Sequence, residues 1–197
     1  IIPKNSPIQS IKDLKGKRVV LNKGSNVHYL LLKVLEANQL KLDDIDVVYL
    51  PPADARAAFE KGAVDAWVIW DPFYAAAEKQ LGAKVLATGQ NLVSNHQFYL
   101  ADREFAQQHP ELLKTVVNEL NTTTTWVAQH QNEAAQLLEK ATGLDSAILK
   151  TSISRMGFGV KPITAQVAKE QQFVADAFYQ QKLIPNKINI QAAILAH

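Results

Sequence analysis

Short apolar runs alternate with helical patterns over residues 17–86, and this alternation constrains the fold more than any other feature of the sequence. Runs of strand length begin near Lys17, Asp46, Val64 and Lys84, and the segments between them are helical in spacing or rich in alanine. Strands that are separated by helices predict βαβ units around a parallel sheet. The first half of the chain is therefore predicted to be an α/β fold.

The sequence changes character near residue 97. A last strand is expected at 97–101, and the residues after it show helical spacing almost throughout. This half has helices to pack but almost no strands to pack them on. Because the chain also opens on an apolar Ile1-Ile2-Pro3 segment that is typical of the middle of a strand, we expect an N-terminal portion to be missing from it.

Composition excludes several classes of protein. Of the 197 residues, 47% are hydrophobic and 20% are charged, which is typical of a globular chain that can bury a substantial core. The net charge is only +2 and no dense Lys/Arg cluster occurs, so no nucleic-acid partner is expected. There is no cysteine, which excludes disulfides and thiolate chemistry, and there is no apolar run of about 18 residues that could span a membrane.

A strand–turn–helix junction at residues 19–31 is the strongest candidate for a binding site. Ser25 follows a Lys-Gly turn and occupies the N-cap position of a helix whose apolar residues recur at helical spacing. A helix N-terminus presents unpaired N–H groups and a partial positive charge, so it can receive an anion. Gly24 would let a ligand approach the backbone, and the side chains of Ser25, Asn26 and His28 would lie within reach. The simpler alternative is that Ser25 only caps its helix and that His28 is a partly exposed residue of the first turn.

The carboxyl ends of parallel strands meet at one edge of a sheet, and ligands bind beyond that edge. The segments expected at this edge are 22–28, 50–56 and 70–72. Trp70 ends its strand, where a large aromatic side chain can form the wall of an apolar pocket, although a core position is the alternative. Trp67 is expected in the core.

Two charged residues belong to the same predicted edge. Asp71 precedes Pro72 and is expected to cap the next helix, with direct contact to a ligand as the alternative. Arg56 is expected in the first turn of its helix, where a cation is unfavourable to the helix dipole. An anion or Asp71 would explain why an arginine lies there.

No pattern in the sequence indicates catalysis or a metal site. His96 and His109 have no histidine or carboxylate three or four residues later, and neither a Gly-x-Ser-x-Gly elbow nor a phosphate-binding glycine loop occurs. We therefore expect no catalytic residue, no metal and no cofactor. A binding function is the simplest interpretation.

Several separate motifs resemble the aliphatic-sulfonate-binding proteins, which are periplasmic receptors of ABC importers and relatives of the taurine and nitrate receptors. The resemblance runs along nearly the whole chain. The motifs that carry it are NKGSNVHYLL at 22–31, LPPADARAAF at 50–59, VDAWVIWDP at 64–72, NHQFYLA at 95–101, IPKNSPI at 2–8 and FYQQKLIP at 178–185.

The resemblance implies a fold and a division of the chain. Members of the family have two α/β lobes joined by two crossing segments, with the ligand in the cleft, so a periplasmic binding protein type II-like fold is expected. On this basis residues 1–5 are the first crossing segment and 6–96 are the second α/β lobe. Residues 97–197 are the second crossing strand and the helical C-terminal part of the first lobe, whose N-terminal part is absent.

The resemblance also implies a ligand and the residues that bind it. The chain is expected to capture alkanesulfonates in the periplasm for a membrane permease, with neutral donors on the sulfonate and Trp70 over the alkyl tail. The candidate ligand-binding residues are Gly24, Ser25, Asn26, His28, Arg56, Trp70, Asp71 and His96. Because the helices after residue 100 carry apolar faces with no sheet to cover them, association with a second copy of the chain is also expected.

Two other functions stay open at this point. The effector domain of a LysR-type transcription regulator has the same two-lobe architecture, but neither its N-terminal helix-turn-helix nor its motifs occur here. An enzyme of the thiamine-precursor-synthase type, which resembles these receptors, would need clustered His or Cys residues, and this chain has no cysteine and five scattered histidines. Turnover would separate these functions, because a receptor returns its ligand unchanged.

Overall fold

The computed structural model describes residues 1–195 and groups them into two compact units. The first unit contains Ile1–Asn95 and Asp176–Lys187. The second contains His96–Ala175 and the described residues from Ile188 onward. The chain therefore passes from one unit to the other three times.

The assignment of residues 176–187 differs from the sequence-based expectation, which kept 97–197 together. Within this segment, the ring of Phe178 packs 6.0 Å from the ring of His28 in the first unit. No local pattern in the sequence predicts this contact. The division of the chain into lobes and crossing segments otherwise stays a prediction.

A three-stranded parallel sheet forms the centre of the first unit, in the order β2-β1-β3. Its strands are β1 (Arg18–Leu21), β2 (Asp46–Tyr49) and β3 (Ala66–Trp67), and its helices are α1 (Asn26–Ala37), α2 (Pro52–Glu60) and α3 (Phe73–Leu81). In register, Val19 of the central strand lies beside Val47 of β2 and Ala66 of β3. The predicted parallel α/β arrangement is confirmed.

The central strand is buried on both faces because helices cover both sides of the sheet. Val19, Val20 and Leu21 are each 0% exposed. Since side chains alternate along a strand, Val19 and Leu21 pack with Leu31 of α1, whereas Val20 packs on the other side with Phe59 of α2. The helix α3 joins the second of these clusters. This continuous burial explains why β1 is so apolar in sequence.

Three expected strands are shortened or absent. The run at 64–70 contributes only Ala66–Trp67 to the sheet, and Lys84 makes a single antiparallel bridge with Ile2. Residues 97–101 form no strand, and Leu100 is 93% exposed. A strand requires a neighbour for its backbone hydrogen bonds, and within the described part of the chain none lies beside 97–101.

The second unit is helical. Its helices are α4 (Arg103–Gln108), α5 (Pro110–Gln129), α6 (Gln131–Thr142), α7 (Ser146–Ser154) and α8 (Ala165–Gln180), the last of which ends in the first unit. Its core is small, and alanines of α6 pack there against Leu149 and Ile153 of α7. Trp126 of α5 covers one side of this cluster.

The helix α5 presents apolar side chains to solvent. None of its 20 residues is buried, and Leu112, Val116 and Val117 are all exposed. Association with a second copy of the chain, which was expected from the apolar faces of the helices after residue 100, stays a prediction. Among residues 1–195, no helix is both long enough and apolar enough to cross a membrane.

Candidate functional site

The strand order places the candidate site at a reversal of the sheet. The chain runs from β1 to β2 on one side and then crosses to β3 on the other side of β1. In an open parallel sheet, ligands bind beyond the carboxyl ends of the strands at such a switch point. The segments that follow β1 and β3 flank this position, and they contain Gly24, Ser25, Trp70 and Asp71.

The turn between β1 and α1, residues 22–25, is shaped to expose the start of α1. Gly24 has φ +73°, in the left-handed region that favours glycine, and a Cβ there would meet no atom within 4 Å. The open space lets a ligand approach the turn closely. The backbone N–H groups of Asn26 and Val27, which open α1, have no acceptor within residues 1–195.

The polar side chains of this junction are already engaged with neighbouring groups. Ser25 lies at the N-cap but makes no cap hydrogen bond, and its hydroxyl instead donates to the carbonyl oxygen of Asn22 at 2.7 Å. The Asn26 side chain donates from Nδ2 to Oδ1 of Asn95 at 2.9 Å. Ser25 therefore does not satisfy the first N–H groups of α1, and they stay available for a ligand.

His28 is not at the surface. Its side chain is 0% exposed, and its ring lies 5.5 Å from the ring of Tyr49 on β2. Burial, and after it the nearby Lys23 ammonium, lower the pKa of His28 below its ordinary value of 6.5. The imidazole is therefore neutral at pH 7. Neither sequence-based interpretation, a ligand contact or a partly exposed residue, predicted complete burial.

The lowered pKa of His28 predicts a specific pH dependence of stability. Below the ordinary histidine pKa of 6.5 the unfolded chain gains a proton at this position before the folded chain does, so the free energy of unfolding falls as the pH falls. The loss from this one group is at most about 1.4 kcal/mol per pH unit. We expect urea unfolding at pH 7.5 and 5.5 to show a larger loss for the wild type than for His28→Asn. Equal losses in the two proteins would contradict this assignment, because all other titrating groups are common to both.

Trp70 and Asp71 follow β3 and lead into α3. Trp70 is half-buried and packs against the core cluster that contains Val19 and Leu21. The Asp71 carboxylate accepts a hydrogen bond at 3.0 Å from the backbone N–H of Ala75, in the first turn of α3. The structure places Pro72 rather than Asp71 at the N-cap position, one residue later than expected, but the Asp71 carboxylate still bonds the first turn of α3.

Arg56 lies away from its expected partners. The helix α2 begins at Pro52, so Arg56 is its fifth residue and lies beyond the first turn. Its guanidinium donates to Glu60 at 2.7 Å and to Gln80 of α3 at 2.7 Å. Gln80 is about two turns along α3 from the edge where that helix starts. Glu60 and Gln80 are therefore the partners that hold Arg56 in the structure, and its contact with an anion or with Asp71 stays a prediction.

His96 belongs to the second unit, where its Nε2 lies 2.8 Å from a carboxylate oxygen of Glu170. The other candidate residues belong to the first unit. The role of His96 in ligand binding stays a prediction. Within the part of the chain that the structure describes, no group of three or more His, Asp or Glu side chains is placed to hold a metal ion.

A family model for NMT1/THI5-like proteins matches residues 1–134. The chain belongs to the NMT1/THI5-like family.

Comparison with individual proteins places this NMT1/THI5-like chain more narrowly. It is 40% identical, over 98% of its length, to a protein of Escherichia coli (strain K12) whose name proposes that it binds aliphatic sulfonates. The match covers 61% of that relative's length, so the chain spans less than two thirds of it. The resemblance that the sequence motifs indicated is thereby confirmed.

Two solved structures have the same fold as the NMT1/THI5-like chain. The periplasmic aliphatic sulphonate binding protein SsuA from Escherichia coli superposes with a TM-score of 0.93 at 40% identity, covering 98% of this chain and 67% of that one. The alkanesulfonate-binding protein SsuA from Xanthomonas axonopodis pv. citri, bound to MOPS, superposes with a TM-score of 0.90 at 37% identity, covering 98% and 68%. The predicted periplasmic-binding-protein fold is confirmed.

Two residues beside the candidate site of this NMT1/THI5-like chain were missed by the sequence reasoning. Lys23 lies in the β1–α1 turn, with its ammonium 5.4 Å from the centre of the Tyr49 ring. Tyr49 is the last residue of β2, the same kind of position that singled out Trp70. The rule that ligands bind at the carboxyl ends of strands would have found Tyr49, and a cation beside a helix N-terminus would have indicated Lys23.

Proposed function

We propose that this chain is the greater part of a substrate-binding protein of an ABC importer and that it captures aliphatic sulfonates. The observation that carries the proposal is the pair of unpartnered N–H groups, from Asn26 and Val27, at the carboxyl end of the central strand. They lie at the N-terminus of α1, where the helix dipole favours an anion. The names of the relatives, which include aliphatic sulfonate and alkanesulfonate binding, support the same ligand class.

A sulfonate suits this junction because it stays ionised and offers three acceptor oxygens. In the proposed complex the N–H groups of Asn26 and Val27 donate to these oxygens, and Gly24 lets the anion approach the backbone. The Ser25 hydroxyl can contribute by turning from Asn22 to the ligand. Lys23 adds a positive charge nearby, which strengthens the attraction without requiring a charged histidine.

The remaining candidates have supporting roles in the proposal. Trp70 covers the alkyl tail, since it is half-buried and follows β3 at the switch point. Asp71 fixes the start of α3 through Ala75 rather than touching the anion, because a carboxylate would repel a sulfonate. Arg56 is engaged by Glu60 and Gln80 and is not included among the ligand contacts.

The proposed function implies partners but no chemistry. The receptor would act in the periplasm, deliver its ligand to a membrane permease and return the ligand unchanged, so it needs no cofactor. Closure of two lobes around the ligand would create the surface that the permease recognises. Association of this chain with a second copy through α5 is a separate proposal, which rests only on the exposed Leu112, Val116 and Val117.

Calorimetric titration tests the proposal directly. We expect short alkanesulfonates and taurine to bind more tightly than nitrate or sulfate, because only the former offer an alkyl tail for Trp70 to cover. The titrations should use a buffer without a sulfonate group. They should compare this chain with a version extended by the N-terminal segment that the family resemblance predicts. Failure of the extended protein to bind any of these anions would overturn the sulfonate assignment.

A further inference from the structure

His28 is an unusual buried group because its two ring nitrogens have different surroundings. Nδ1 accepts a hydrogen bond from the backbone N–H of Gly24, with the two nitrogens 3.2 Å apart. Nε2 is buried and has no hydrogen-bond partner in the described chain. The ring is enclosed by the rings of Tyr49 and Phe178 at 5.5 and 6.0 Å. A buried polar group is unfavourable unless it is bonded, so Nδ1 is satisfied by Gly24 whereas burial of Nε2 has an energetic cost.

The bond to Gly24 fixes the protonation state of the ring. An N–H group donates only to an unprotonated nitrogen, so Nδ1 carries the lone pair and the proton of the neutral ring lies on Nε2. The same bond closes a short loop from Gly24 to His28, across Ser25, Asn26 and Val27. The loop therefore contains the N–H groups to which we assign anion binding.

The hydrogen bond between Gly24 and His28 matters because Gly24 is conformationally free. A glycine at φ +73° has little intrinsic preference for that conformation over others, so the turn needs a contact that selects it. The Cβ position of Gly24 is open and no side chain packs against it. On the other side of the turn, the acceptor at Nδ1 of His28 is the group that holds the Gly24 N–H.

We propose that His28 is the positioning residue of the anion-binding turn: it holds the Gly24 N–H through Nδ1, keeps the first N–H groups of α1 convergent, and does not touch the ligand. This inference rests on the proposed function for its effect on affinity. It does not rest on that function for its effect on the turn. The sequence had suggested that His28 contacts the ligand directly. A side chain with no exposed surface can affect a ligand only indirectly, through the turn at residues 22–25.

Two substitutions whose side chains have the same branched shape distinguish the effect of losing the acceptor atom from the effect of losing the imidazole ring. His28→Asn places an oxygen at the atom position of Nδ1 and can accept from Gly24. His28→Leu places a methyl group there and cannot. Leucine also suits the buried site better than asparagine does, so the leucine variant is expected to be at least as stable. Affinity and stability should therefore follow opposite orders, which a merely structural role for His28 would not produce.

The first measurement is amide exchange at Gly24, which needs no ligand. We expect the Gly24 N–H to be protected from exchange in the wild type and in His28→Asn, and to lose about tenfold or more of its protection in His28→Leu. Equal protection in all three proteins would overturn the positioning role. This result stands whether or not any sulfonate binds.

The second measurement is alkanesulfonate titration of the same three proteins. We expect His28→Asn to bind within about threefold of the wild type and His28→Leu to bind about tenfold more weakly, the effect of one hydrogen bond. Equal affinity for the leucine variant, or equal loss in both variants, would overturn the inference. Absence of binding by the wild type would instead overturn the proposed function, and the exchange data would still decide the role of His28.

Discussion

Replacing Ser25 with Asp is expected to abolish sulfonate binding while leaving the fold at least as stable as before. Aspartate is a strong N-cap residue, and its carboxylate would accept from the N–H groups of α1 that Ser25 leaves unpartnered. This bond and the helix dipole should raise the free energy of unfolding by about 0.5–1 kcal/mol. The same carboxylate would occupy the place of the anion. A like charge about 4 Å from a bound sulfonate is unfavourable by about 4 kcal/mol at an effective dielectric constant of about 20, so we expect a loss of affinity of at least about 100-fold.

The matched control is Ser25→Asn, which has the shape of aspartate without its charge. Asparagine is also a good N-cap residue, so the helix should be stabilised in a similar way. Calorimetry should show a loss of affinity well below that of the aspartate variant, about tenfold or less, since only a hydrogen bond is affected. The two variants should therefore unfold at similar urea concentrations but differ in binding. If Ser25→Asp still bound alkanesulfonates like the wild type, the ligand could not lie at the N-terminus of α1.

The sequence predicted the β1–α1 junction well because local rules govern it. An apolar run, a glycine and an N-cap serine determine where the strand ends and the helix begins, and these residues act through the nearest few neighbours in the chain. The structure starts α1 at Asn26, directly after Ser25. The parallel sheet was predictable for a similar reason, since strands that alternate with helices leave few other arrangements.

Burial and pairing at the site were not predictable, because they depend on contacts between distant segments. His28 is fully buried, and β2 and the end of α8 bring Tyr49 and Phe178 against its ring. Arg56 is explained by Gln80, which lies 24 residues later. The strand expected at 97–101 had the right residue types but lacks a neighbouring strand in the described chain. Local propensity therefore could not decide it.

The order of the strands in the sheet indicates which segments flank the candidate site, which the sequence alone did not. Three segments were expected at the carboxyl edge; the sequence singled out the one after β1 but did not say which of the other two lies beside it. With β1 in the centre of the sheet, the reversal lies between β1 and β3, so the segments around Gly24 and Trp70 become the two sides of the candidate site. Arg56, on the segment after β2, donates its hydrogen bonds to Glu60 and Gln80 and is not directed to this edge by them. Topology therefore selects two of the three segments.

Trp67 and Trp70, in the segment 64–70, should differ when each is replaced by alanine: Trp67 should matter more for stability and Trp70 more for ligand affinity. Trp67 is 1% exposed, and its ring lies 5.7 Å from that of Phe59 and 6.5 Å from that of Phe73. Its removal leaves a large cavity between the sheet and α2, which should lower the free energy of unfolding by about 3–5 kcal/mol. Trp70 is half-buried, so Trp70→Ala should lower it by only about 1–2 kcal/mol.

Ligand affinity should follow the reverse order. If Trp70 covers the alkyl tail, Trp70→Ala should weaken the binding of butanesulfonate by about tenfold or more and that of methanesulfonate much less, because each buried methylene contributes about 0.8 kcal/mol. Trp67→Ala, measured at a temperature where the variant is folded, should change the ratio of the two affinities little. Urea unfolding and calorimetry of both variants measure the two effects independently. A Trp70→Ala protein that still prefers the longer tail as strongly as the wild type would remove Trp70 from the binding site, and the wall of the pocket would then have to come from another segment.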